Sequence, residues 1–134
     1  MLACAPAVVA PMTAPVVVRS LRVEPALHAQ LAAATAPVSG ELTLVRARIP
    51  AGGGSWRFYL VDANDPAAEP IPIGRLAIEG ATRPAVGDVL VHVDLGPQAL
   101  ARLRTAHAPA IRIVTRPGRP EPLLAQAIEL HRAP

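Results

Sequence analysis

Four histidines, one cysteine and a small set of acids are the residues of this chain with types suited to chemistry. The histidines are His28, His92, His107 and His131. No two stand at the helical spacing of a metal site, and neither a Cys-x-x-Cys nor a His-x-x-x-His occurs. His92 and Asp94 are two apart, the spacing that puts both side chains on one face of a strand, where they could pair as acid and base. No nucleophile or oxyanion feature accompanies them, so an ordinary exposed pair is expected. Asp62, Asp65 and Glu69 crowd one stretch but match no calcium-loop spacing, and a turn is expected there. Ser39-Gly40 and Gly54-Ser55 are turn dipeptides rather than nucleophile elbows. Gly52 to Gly54 lacks the Lys-Ser/Thr of a phosphate loop. The residue types therefore favour a binding module over an enzyme.

Aromatic side chains offer a second kind of chemistry, that of recognition. All three, Trp56, Phe58 and Tyr59, lie in the stretch WRFYLVDAN. Alternation puts Trp56, Phe58 and Leu60 on one face and Arg57 and Tyr59 on the other. Core packing is the expectation for the first face, and a contact patch for the second if it is exposed, because Tyr and Arg are favoured interface anchors. Trp56, Arg57, Tyr59 and His92 are the partner-contact candidates.

The elements that must position these residues are short and punctuated by proline. The chain has 134 residues, of which 16 are Pro and none is Lys, so its 13 basic residues are all Arg. That bias, with abundant Ala and Gly, is expected of a GC-rich bacterial genome. The length suits one domain with a core of its own. The net charge of +3 is spread along the chain with acids between the arginines. With no basic run and no stacking platform, nucleic-acid binding is not expected. A single cysteine, Cys4, rules out an internal disulfide. No segment reaches the ~20 apolar residues of a membrane span. The start, MLACAPAVVAPMTAPVVV, lacks a positive n-region and is broken by Pro6, Pro11 and Pro15, so it reads poorly as a secretory signal. Localisation stays open between the cytoplasm and export with a partner.

Residues 1–15 read as a flexible Ala/Pro-rich arm, 16–39 as a first strand (VVVRSLRV) and linker, and 40–134 as a β domain. Glu24 to Thr35 suits either a short helix or a loose connection. Glu41 to Ile49 alternates and leads through Pro50-Ala51-Gly52-Gly53-Gly54 into the aromatic strand. Gly74, Leu76 and Ile78 point one way in the next strand. The segment VLVHVDL has the cleanest period of two, with Val89, Val91, Val93 and Leu95 inward and Leu90, His92 and Asp94 outward. Gly96-Pro97 ends it and opens a helical turn over 97–104, with Leu100 and Leu103 on one face. Alternation resumes in AIRIVTR, and Pro117-Gly118 turns the chain. Leu123 to Leu130 suits helix by propensity and a closing strand by topology. About seven short strands predict an all-β antiparallel Greek-key sandwich or partly closed barrel.

From about Gly40 to Leu130 the order of elements resembles the C-terminal domain of plant-type polyphenol oxidases, the catechol oxidases and tyrosinases. Arg57-Phe58-Tyr59-Leu60 stands where that family has Lys-Phe-Asp-Val, so Tyr59 replaces the motif's Asp. Ile73-Gly74-Arg75-Leu76 is similar to the family's Gly-Ser-Phe strand. Val91 to Leu103, Ile111 to Arg119 and Ala127 to Leu130 follow in the family's order. The resemblance implies a Greek-key-like β domain that shields a type-3 copper site. This sequence holds no catalytic half. The resemblance therefore implies a separate cap subunit, a fragment of an oxidase or a stand-alone relative with a new role, with any copper held by the oxidase. Bacterial tyrosinase helpers that deliver copper use Met, Cys or His, which would make Cys4, Met12 and His28 the corresponding ligands here. Without the resemblance, the expectation is a ligand-binding or adhesion β-sandwich.

Overall fold

The computed structural model describes residues 16–79, 83–116 and 121–133. The arm expected over 1–15, with Cys4 and Met12, and the turn at Pro117-Gly118 lie outside the described residues. The strands are β1 (Val16–Val23), β2 (Val38–Ile49), β3 (Gly54–Asp62), β4 (Ile71–Ile78), β5 (Ala85–Leu95), β6 (Pro109–Thr115) and β7 (Ala127–Arg132). Two helices, α1 (Pro25–Ala33) and α2 (Pro97–Thr105), interrupt them. The chain is therefore all-β, as its alternation predicts. The helical turn expected near 97–104 is α2, and the stretch after β1 resolves as α1 rather than a loose connection.

The strands form a single sheet in the order β4-β3-β6-β1-β7-β2-β5. Every pairing is antiparallel except that of β1 with β7. The sheet curls until its two outer strands, β4 and β5, meet, so the barrel is nearly closed. Closing the sheet this way shields strand edges that would otherwise be left unpaired. β1 lies in the middle of the sheet, bonded to β6 along Val16–Ser20 and to β7 along Leu21–Val23. Leu123 to Leu130 takes the strand alternative: Leu124 bridges to Arg48, and β7 follows.

Alternation decides what fills the barrel. Trp56, Phe58 and Leu60 of β3 meet Leu42 and Leu44 of β2, Val91, Val93 and Leu95 of β5, Ile111 and Ile113 of β6, and Ile128 and Leu130 of β7 in one cluster. Each such side chain contributes about 1.5–3 kcal/mol by leaving water. Two bulges adjust the pattern. In β2 the register shifts between Leu44 and Ala47, where Arg46 takes φ 50 and donates its N–H to Asp88 Oδ1 at 2.9 Å. In β4 the register shifts opposite Phe58 and Tyr59, so Ile73 is buried although it adjoins the inward Gly74.

The helices cover one end of the barrel. Leu27 and Leu31 of α1, four apart, and Ala99, Leu100 and Leu103 of α2 join the same core. Pro25 and Pro97 stand in the first turns, where a missing N–H costs nothing. Arg104 Nη2 donates to the Ala34 carbonyl at 2.9 Å, placing a cation at the C-terminal end of α1.

Candidate functional site

Where β4 and β5 meet, the barrel closes by contact rather than by a hydrogen-bonded ladder. Gly74 makes the approach possible. A Cβ there would stand 2.8 Å from the His92 carbonyl oxygen and 3.1 Å from the Val93 side chain. Only a residue without a side chain lets the two backbones come this near. On the outside of this seam runs a groove of about 610 Å³. Arg57 and Tyr59 of β3, Pro72, Ile73, Gly74 and Arg75 of β4, and His92 and Asp94 of β5 line it. Three of the four contact candidates named from the sequence therefore converge, although they come from strands far apart in the chain.

Strand parity explains the convergence. Arg57 and Tyr59 point away from the core because Trp56, Phe58 and Leu60 point into it. His92 and Asp94 are outward for the same reason, between the buried Val91, Val93 and Leu95. Arg75 stands directly opposite Arg57 in the β3–β4 register. Tyr59 is half-buried and stands opposite Arg112 of β6. Trp56 is a correction: at 1 % exposed it is a core residue, not a contact residue, because its strand face is the inner one.

Charge is distributed unevenly across the groove. His92 Nε2 lies 3.2 Å from Asp94 Oδ1, with both side chains well exposed. This pair was expected from the spacing, and it engages the groove's one carboxylate. Among the described residues, Arg57 and Arg75 have neither an ion pair nor a side-chain hydrogen bond. Two like charges directly across a strand pair repel, and here no carboxylate is paired with them.

The other candidates lie elsewhere. His28 Nε2 is 3.2 Å from the Leu103 carbonyl oxygen and so ties α1 to α2. The acids of the β3–β4 loop do not gather into a metal-holding group among the described residues. Asp62 is buried and spends its carboxylate on backbone N–H groups, those of Asn64 at 2.9 Å and of His107 and Ala108 at 3.3 Å. The Asn64 bond, foremost, holds its pKa below the ordinary value; burial opposes this, and the Ala108 and His107 bonds and the His107 charge reinforce it. Among the described residues, no three of the His, Cys, Asp and Glu side chains gather at a metal-holding distance. No described helix is long and apolar enough to cross a membrane.

Arg75 is the member of the site that sequence reasoning passed over. Its signal was available, because it follows Gly74 in a strand of otherwise apolar residues and must face outward. What the chain could not show is that β4 would lie beside β5. No protein-family model, no curated protein and no solved structure matches this chain.

Proposed function

We propose that this protein is a non-catalytic binding module whose working surface is the outer face of the seam between β4 and β5. The observation that carries the reading is the gathering of Arg57, Tyr59, Arg75 and His92 around one groove. Its size falls in the range of small-molecule and peptide-side-chain sites. The groove's lining residues include no Ser, Thr, Cys or Lys, so the His92–Asp94 pair is not part of a Ser-His-Asp or Cys-His arrangement.

Two kinds of partner suit such a face. A ligand or glycan bound in the manner of an adhesion module needs only the groove. A type-3 copper oxidase is the partner implied by the resemblance to polyphenol oxidase covering domains, and Arg57 and Tyr59 belong both to the stretch that carries that resemblance and to the groove. In that reading the copper is held by the oxidase.

Amide chemical-shift mapping tests the reading. The ¹⁵N-labelled protein is titrated with neutral oligosaccharides, a neutral tripeptide series and a tyrosinase-type oxidase stripped of its own covering domain. Binding should move the amides of Arg57, Tyr59, Gly74, Arg75 and His92 before any others. Shifts centred on β1, β7 or the helices would refute the seam as the working face. Suppression of the oxidase's phenol oxidation by the wild-type protein, lost in Tyr59→Ala, would single out the copper-oxidase partner.

A further inference from the structure

The groove's most unusual feature is a pair of arginines set directly opposite each other, with no side-chain partner among the described residues. Arg57 and Arg75 face each other across adjacent strands. On one sheet face, such opposed side chains start about 5 Å apart at Cβ. Neither guanidinium is engaged by a carboxylate or a carbonyl among the described residues. Arg22, Arg46, Arg48, Arg83 and Arg116 likewise have no side-chain partner among the described residues. Only Arg57 and Arg75, however, stand as a directly opposed pair lining a groove. Four arginines are tied down. Arg102 donates to the Glu69 carbonyl, Arg104 to that of Ala34, Arg19 to those of Ala125 and Val18, and Arg132 to Gln30.

The surroundings add to the positive field. Arg112 stands across from Tyr59 on β6, half-buried, with its Nε buried and without a hydrogen bond. It is thus a diagonal neighbour of Arg57, whose own opposite residue is Val114. Asp94 is the groove's one negative charge, and His92 holds it on the β5 side. The β3–β4 side is left with two guanidinium groups, a nearby third and the Tyr59 phenol.

We infer that this groove is a site for an oxyanion, a carboxylate or a phosphate group, held between Arg57 and Arg75 with the Tyr59 hydroxyl as a further donor. A planar guanidinium presents paired N–H groups that match either kind of oxyanion, and two of them facing each other are neutralised together by one such group. The remaining volume, walled by Pro72, Ile73 and Tyr59, admits the body of the molecule that carries the charge. The inference rests on the seam being the working face and adds the chemical class of what binds there.

The test uses orthophosphate, phenyl phosphate and benzoate as probes, titrated at constant ionic strength with chloride as the competing salt. Binding is followed through the Arg Nε–H resonances and the backbone amides. Shifts should appear at Arg57 and Arg75 and saturate. Arg57→Gln and Arg75→Gln should each weaken binding about tenfold, while Arg48→Gln, on a strand away from the groove, should leave it unchanged. Stronger binding of phenyl phosphate than of benzoate would assign a phosphate ligand, and the reverse order a carboxylate. Shifts scattered over all arginines, or binding untouched by Arg57→Gln, would overturn the oxyanion site. If the neutral oligosaccharides or peptides move the seam amides and no anion does, the oxyanion site falls while the seam remains the working face. If no probe moves the seam amides, both fall.

Discussion

At the scale of single residues, two carboxylates show how local bonding sets a role. Asp94 is exposed, and among the described residues its carboxylate pairs only with His92. Asp62 is buried and accepts backbone N–H groups from both its own turn and the α2–β6 connection, so it stitches two loops at the helix-covered end of the barrel. Its pKa is lowered in the folded protein from an ordinary value near 3.8. The sign of the linkage follows. The unfolded chain takes up a proton first as the pH falls, so this stabilisation is complete above pH ~4 and is lost as the pH drops through the folded value. Asp62→Asn should therefore lower the Tm at neutral pH and flatten the loss of stability below pH ~4, as read from melting curves between pH 2 and 7. An unchanged acid limb in the variant would show that Asp62 does not carry the effect.

At the scale of elements, strand parity was legible in the sequence and strand neighbourhood was not. The inward row Val91, Val93, Leu95 and the split of Trp56, Phe58 and Leu60 from Arg57 and Tyr59 follow from a period of two alone. Parity also predicts His92 and Asp94 on the outer face. Nothing local tells that β5 curls round to β4, because that meeting depends on the curvature of the whole sheet. The stretch Leu123 to Leu130 was ambiguous for the same reason. Its residues suit a helix, yet its place between β1 and β2 makes it a strand. Gly74 is the element-scale device that lets the seam close. Gly74→Ala would put a methyl group against the His92 carbonyl and should cost about 1–3 kcal/mol, measured by urea unfolding. Gly53→Ala should cost more, because Gly53 takes φ 71 and a Cβ there would stand 2.0 Å from the Ile78 carbonyl oxygen. Equal costs at the two positions would contradict the packing described for the seam and the β2–β3 turn.

At the scale of the whole molecule, the barrel binds distant parts of the chain into one unit. β1, expected as a first strand ahead of a linker and outside the main β domain, lies at the centre of the sheet and joins β6 to β7. Leu21 of β1 and Leu27 and Leu31 of α1 belong to the same core as the strands that follow. A fragment of residues 40–134 should therefore not fold, showing no dispersed amide spectrum, whereas residues 16–134 should melt in one cooperative transition. A folded fragment would show that β1 is dispensable. Closure of the same barrel brings β3, β4 and β5 to one outer surface and gathers there the arginines, phenol and imidazole that the chain keeps apart. The most direct test of that surface is a crystal structure of the protein grown with phenyl phosphate. The phosphate is expected in the seam groove, within hydrogen-bond distance of both Arg57 and Arg75. A groove left empty while phosphate sits at other arginines would contradict the account.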